Sequence, residues 1–233
     1  MERIKTGIKG FDDLIEGGLP RGSSILLAGT PGTGKTIFAL EFLYNGAKRF
    51  NENGLYVSFE ENLPNLIDQA RQFSWDFEDL EKRGKIRFLT MPASKIQRDV
   101  LKDVVKLAKD EHIKRIVIDS LSTLSINTPV VSSKAEFMGD YAVKRFVYSF
   151  IEGMKELKYS TSLLISQTQS EKELSSDKIS EFACDGVIHL SFESMGGEFS
   201  RSLLVRKMRR TKNDEDIHPV EISSNGLAIH KVG

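Results

Sequence analysis

Cysteine is almost missing from this chain: Cys184 stands alone among 233 residues. No intrachain disulfide is possible, so a reducing compartment is expected, with Cys184 as a small buried hydrophobe. An excess of either charge is missing too. Lys plus Arg number 33 and Asp plus Glu number 33, giving a formal net charge of zero. A neutral chain lacks the electrostatic footprint of a nucleic-acid or membrane-surface binder. Its charged residues, 28% of the total, are mixed in sign, the pattern of a solvated, salt-bridged surface. No stretch approaches ~18 consecutive apolar residues, so no membrane span is expected. The opening Met1-Glu2-Arg3-Ile4-Lys5 has no apolar core of a signal peptide. A cytoplasmic protein is the expectation. There is also no internal repeat, no low-complexity tract and no Pro/Ser-rich linker. With 39% hydrophobic residues to build a core, one domain over residues 1–233 is the economical reading.

What is present begins with Gly29–Thr36, which reads G-T-P-G-T-G-K-T. It fits the P-loop pattern G-x-x-x-x-G-K-[ST] at every constrained position. The run Ser24–Ala28 before it reads as a short buried strand, and Ile37–Arg49 after it as a helix. The glycines therefore lie in a strand-to-helix turn. Gly29, Gly32 and Gly34 place no side chain between backbone and phosphate, and the helix N-terminus adds partial positive charge. Gly29, Thr30, Pro31, Gly32, Thr33, Gly34, Lys35, Thr36 and Ile37 are the expected nucleotide contacts. Lys35 reaches the β- and γ-phosphates, and Thr36 offers its hydroxyl to Mg²⁺.

Around this motif, strands alternate with helices. Leu55–Phe59, Ile86–Leu89, Ile116–Ile118, Leu163–Ser166 and Val187–Leu190 read as apolar strands. Helical patterns cover Leu63–Phe73, Lys95–Glu111 and Phe137–Leu157. This alternation predicts an α/β fold with a mostly parallel twisted sheet flanked by helices. Arg201–Lys207, Val220–Ser223 and Leu227–His230 add a C-terminal antiparallel extension, with Asn225-Gly226 as a turn signal. Ser125–Ala135 and Gln169–Ser180 are polar and read as loops at the ligand-binding edge, beyond the strands' carboxyl ends.

Four further features sharpen the chemistry. Arg115-Ile116-Val117-Ile118-Asp119 is an apolar strand ending in an acid, the Walker B pattern, with Asp119 holding Mg²⁺ opposite Thr36. Glu60 and Glu61 end the strand Leu55–Phe59. Neighbouring strand residues point to opposite faces, so at most one aims at the γ-phosphate, where a carboxylate orients the attacking water. Arg201, Arg206, Lys207, Arg209, Arg210 and Lys212 crowd into twelve residues. Lys207 and Arg209 share one strand face, which suits a cationic finger reaching a phosphate across a subunit interface. Finally, Gln167 at a strand end is placed to sense the γ-phosphate and relay its loss to the following loop.

Together these residues resemble the RecA/RadA superfamily and, within it, the KaiC-like ATPases. The likeness extends to Thr6-Gly7-Ile8-Lys9-Gly10-Phe11-Asp12, Gly17-Gly18-Leu19-Pro20-Arg21-Gly22, Val57–Glu61, Ala70–Asp76, Val117–Ser122 and Lys207–Thr211. It implies a RecA-like fold and a homo-oligomeric ring, usually a hexamer, with ATP and Mg²⁺ between subunits. Lys35, Glu60 and Glu61 would be catalytic, Glu60 matching the single glutamate of the wider superfamily. Lys207, Met208, Arg209 and Thr211 would reach the neighbour's nucleotide. Arg210 and Asn213 depart from the family pattern Lys-x-Arg-Gly-Thr-x-His. The likeness is to a single KaiC domain, so clock function and autophosphorylation are not expected.

The leading expectation is thus a Mg²⁺-dependent ATPase with a regulatory output. ATP is preferred to GTP because no [NT]KxD guanine signature stands out. A recombinase-like DNA-binding ATPase is the alternative, but the loop Ser170–Glu181 carries Glu171, Glu173, Asp177 and Glu181 against Lys172 and Lys178. A strand-tracking loop should be basic. A nucleotide-gated interaction module with little turnover is the third reading. The downstream protein partner is left open.

Overall fold

Apolar runs become strands here because both of their faces are covered. Ile25, Leu26, Leu27 and Ala28 are all fully buried, as a parallel strand between two helical layers must be. The computed structural model describes residues 1–96, 99–127, 139–192 and 200–232. The chain forms β1 (Arg3–Ile4), β2 (Leu19–Pro20), β3 (Ser24–Gly29), α1 (Lys35–Arg49), β4 (Gly54–Ser58), α2 (Leu63–Arg71), α3 (Phe77–Lys82) and β5 (Ile86–Thr90). Then come α4 (Val100–Asp110), β6 (Arg115–Asp119), α5 (Leu121–Ile126), α6 (Gly139–Met154), β7 (Thr161–Gln167), α7 (Ser180–Ala183) and β8 (Gly186–Phe192). It closes with β9 (Arg201–Met208), β10 (Ile217–Ser223) and β11 (Gly226–Ile229).

Nine strands make one sheet in the order β11-β10-β9-β8-β3-β7-β6-β4-β5. The six from β8 to β5 are parallel, and β9, β10 and β11 extend it antiparallel. Strand alternation sorts the side chains into two cores. Ile25, Leu27, Tyr56 and Val117 face α1, α2 and α3 through Phe38, Phe42, Leu66 and Phe77. Leu26, Ala28, Leu55, Val57, Ile116 and Ile118 face α4, α5 and α6 through Val104, Leu124, Val147 and Ile151. Each fully buried aliphatic side chain contributes about 1.5–3 kcal/mol relative to exposure, so this double core is the frame that holds the strand ends still.

One cation is part of that frame. Arg115 is 1% exposed, pairs with Glu52, and donates to the carbonyls of Phe42 at 2.8 Å and Lys5 at 2.7 Å. Its guanidinium lies 4.7 Å from the Phe42 ring centre and 5.1 Å from that of Phe50. A Cβ on Gly46 would sit 2.4 Å from Arg115 Cδ, so glycine is needed on α1 where the arginine passes.

Several boundaries differ from expectation. The pattern over Lys95–Glu111 gives a short 3₁₀ turn at Ala93–Lys95 and an α-helix only from Val100. The helix expected over Phe137–Leu157 spans Gly139–Met154, and the remainder of the expected loop Ser125–Ala135 beyond Asn127 lies outside the described residues. Ser125 and Ile126 themselves close α5, which Ser120 caps by accepting from the Thr123 amide. Residues 169–179 form the expected loop. Cys184 is buried, and burial pushes its thiol up to about 12, so it behaves as a small core residue. Among the described residues no helix is long and apolar enough to cross a membrane.

Candidate nucleotide site

Sheet register brings the critical residues to one edge. Gly29 at the end of β3 lies level with Gln167 at the end of β7. Asp119 at the end of β6 lies level with Ser58, two residues before Glu60. These carboxyl ends are where an open α/β sheet leaves a crevice for ligands.

The P-loop itself is shaped by space as much as by torsion. A Cβ on Gly29 would meet the Leu190 carbonyl oxygen at 2.3 Å. Gly34 caps α1 at φ 101, in the left-handed region that favours glycine. Thr33 Oγ1 donates to the Thr30 carbonyl at 2.9 Å, and Lys35 Nζ donates to the same oxygen at 2.7 Å. Lys35 is 7% exposed. Burial lowers its pKa, while the charges of Asp119, Glu60 and Glu171 act the other way.

Three carboxylates of the cleft are held differently. Asp119 accepts from the Tyr56 hydroxyl at 2.6 Å, and burial pushes its carboxyl up to about 6. Glu60 accepts from Ser120 Oγ and Thr123 Oγ1 through one oxygen and from Gln167 Nε2 at 2.5 Å through the other. Glu61 turns toward α2: its amide donates to Ser58 Oγ at 2.9 Å and its carboxylate accepts from Asn65 at 2.8 Å. Gln167 is itself anchored, its amide donating to Ser122 Oγ at 2.8 Å.

Lys35, Thr36, Ile37, Glu60, Glu61, Asp119 and Gln167 all line one cleft of about 320 Å³ with Pro31, Gly32 and Gly34. Gln69, Ile165, Arg201 and Ile222 complete it. In the sequence Arg201 is one member of the basic segment. It sits over the P-loop of its own chain, donating to the Gly32 carbonyl at 3.1 Å, with its guanidinium 5.1 Å from the Phe192 ring centre. Glu171, from the loop after β7, is likewise bonded to Thr30 Oγ1. Neither contact has a local sequence signal, since both span more than a hundred residues.

The residues fit a magnesium nucleotide. Gly34 caps α1, and Gly32 and Gly34 line the cleft without a Cβ, as close approach of a polyphosphate requires. Thr36 and Asp119 offer two oxygens to a cation. One hydroxyl and one carboxylate are a donor set Mg²⁺ uses when phosphate oxygens and water supply its remaining ligands.

The basic corner lies elsewhere. Lys207 pairs with Val187 and Met208 with Gly186, at the edge where β3 begins rather than where it ends. Lys207 Nζ donates to the carbonyls of Glu181 at 3.0 Å and Cys184 at 2.7 Å. Arg209 pairs with Asp185 at 3.2 Å and donates to the Phe182 carbonyl. Thr211 accepts from Arg3 at 3.1 Å. Met208 is 4% exposed and packed in the core, so its side chain is not offered outward as expected. Arg210, where the family pattern has glycine, adopts φ 60. Asn213, where the pattern has histidine, donates to the Val205 carbonyl of its own chain at 2.9 Å.

Comparison with known proteins shows the family and the fold. The family model described as "ATPase: KaiC" matches residues 4–233. A UPF0273 protein of Methanocaldococcus jannaschii is 35% identical over 246 residues, covering 99% of this chain and 97% of its own. The circadian clock oscillator protein KaiC of Parasynechococcus marenigrum is 28% identical, and the match covers all of this chain but 46% of that protein. The crystal structure of a KaiC-like protein from Pyrococcus horikoshii superposes with a TM-score of 0.85 at 33% identity, covering 99% of each chain. The chain belongs to the KaiC family of ATPases, with the RecA-like fold of that group.

Proposed function

We propose that this protein hydrolyses Mg-ATP in a homo-oligomeric ring, with each nucleotide held between two subunits. The observation that carries the reading is the convergence of Lys35, Glu60, Asp119 and Gln167 on one cleft at the head of α1. The P-loop amides and Lys35 bind and orient the phosphates. Thr36 and Asp119 would hold Mg²⁺, which would supply positive charge at the phosphate oxygens. Glu60 orients the attacking water and accepts its proton. Ser120, Thr123 and Gln167 hold that carboxylate in place, and Gln167 links it to β7 and the loop after it. Glu61, bonded to Asn65, is the lesser acid.

Lys207 and Arg209 belong to the second half of the site. They sit at the far edge of their own sheet, so only another copy of the chain can bring them to a γ-phosphate. There they stabilise charge that develops in the transition state. Resemblance to the KaiC-like ATPases supports a ring, usually a hexamer, and a regulatory output, while the lone buried Cys184 suits a reducing, cytoplasmic setting. DNA binding is disfavoured: Asp177 is bonded to Ser180 and the amide of Ile179, and Glu171 to the P-loop, so the loop after β7 presents acids committed to its own fold.

The test is mass measurement in solution with and without Mg-ATP, beside a phosphate-release assay. An oligomer with steady phosphate release is expected. A monomer under both conditions sinks the role of Lys207 and Arg209 in a neighbour's site. Assembly without any phosphate release favours a nucleotide-gated module.

A further inference from the structure

The cleft has two chemically distinct ends. The P-loop amides and Lys35 form the phosphate end. Beside them the wall carries three isoleucines, Ile37 on α1, Ile165 on β7 and Ile222 on β10, apolar surface suited to the face of a nucleobase. Ile222 approaches the P-loop closely: a Cβ on Gly34 would lie 3.0 Å from its Cδ1. The position of β10 therefore sets the width of this end.

What fixes β10 there is a buried acid. Glu41, on the second turn of α1, is 6% exposed. Its carboxylate accepts the Leu227 amide at 2.8 Å. Leu227 is the residue paired with Ile222 across the β10–β11 hairpin. The turn is moulded to the carboxylate, because a Cβ on Gly226 would fall 2.6 Å from Glu41 Oε2. Arg49 lies near enough to favour the ionised form, yet burial outweighs it and pushes Glu41 up to about 7. Burying a carboxyl in a helix that otherwise faces the core is costly. A leucine would fill the space without that cost, but it would accept no amide.

We propose that Glu41 is a positioning residue for the nucleobase end of the cleft: by holding the β10–β11 hairpin against α1 it sets Ile222 at the base. The inference rests on the nucleotide reading of the cleft. It goes beyond that reading in separating base recognition from phosphate recognition. The hairpin wall is anchored to the same helix whose N-terminus holds the phosphates, so the two ends keep a fixed spacing.

Calorimetric binding of Mg-ATP and of Mg-tripolyphosphate to the full chain distinguishes the two ends. Glu41→Leu should raise the Kd for ATP about five- to tenfold, the worth of one buried hydrogen bond. It should leave tripolyphosphate within about twofold of the parent. Glu41→Gln keeps an acceptor oxygen and should bind both ligands like the parent. If Glu41→Leu fails to fold, Gly226→Ala displaces the turn from the intact carboxyl and should weaken ATP alone in the same way. Unchanged ATP affinity in both altered anchors, or equal loss of ATP and tripolyphosphate, overturns the proposal. A parent that binds tripolyphosphate but gains nothing from the adenosine overturns the nucleotide reading itself.

Discussion

At the carboxyl edge of the parallel strands, the charged groups of one chain face each other across an open cleft. Lys35 lies among Asp119, Glu60 and Glu171, and Glu60, Asp119 and Gln167 line the same cleft. At the amino edge the arrangement is reversed. Lys207 and Arg209 face carbonyl oxygens at the end of α7, and Arg209 pairs with Asp185. Phe182 stands 68% exposed beside them. The first region resembles a site waiting for a polyanion; the second resembles a surface prepared for a neighbour. Nucleotide chemistry that needs both cannot be completed by one chain of this shape.

The largest expected effect breaks the two regions apart genetically. Lys35→Ala and Arg209→Ala should each lower phosphate release by about 10²–10³ or more, since each removes a charge from the transition state. Mixed in equal amounts, the two inactive variants should recover activity. Some interfaces then pair an intact Lys35 with an intact Arg209 from different chains. Absence of recovery in verified mixed assemblies would refute a site shared between chains, and full activity of Arg209→Ala alone would remove Arg209 from the site; either result undoes the comparison.

A smaller effect sharpens the carboxyl edge alone. Glu60→Gln should slow turnover about 10²-fold or more while ATP still binds, as loss of a general base does. Glu61→Gln should cost less than about tenfold, because its carboxylate is turned to Asn65 at the start of α2. Phosphate release at saturating Mg-ATP reads both. The opposite order would assign the base to Glu61 and leave Glu60 as part of the Gln167 network.

These contrasts also mark what was legible in the amino acids. Gly29–Thr36, Glu60 and Asp119 could be found because each sits at the end of an apolar run whose direction is plain. The strand order was not written locally, yet βαβ alternation implied the parallel core that β3, β4, β6 and β7 form. α3 was missed because six residues capped by Asp76 hold too little periodicity to register. β10 begins at Ile217, earlier than the run Val220–Ser223, because Pro219 reads as a break although it pairs opposite Ser202. Side-chain partners were the least visible. Tyr56 on Asp119, Arg201 on Gly32 and Glu41 on Leu227 join residues more than sixty apart, and only the folded sheet makes them neighbours.

The smallest effect tests whether the amino edge is scaffold as well as interface. Lys207 Nζ donates to carbonyls at the end of α7, where a helix leaves oxygens without intrahelical partners. Burial, and then the nearby charge of Arg209, lowers its pKa. Lys207→Met keeps the aliphatic stem and deletes those bonds. It should cost about 1 kcal/mol of stability, or about 2–4 °C in Tm. If Lys207 only braced α7, phosphate release at a temperature well below Tm would stay near the parent's. If it also reaches a neighbour's phosphate, release should fall at least about tenfold under conditions where the variant is fully folded, a loss far beyond what the lowered stability can explain.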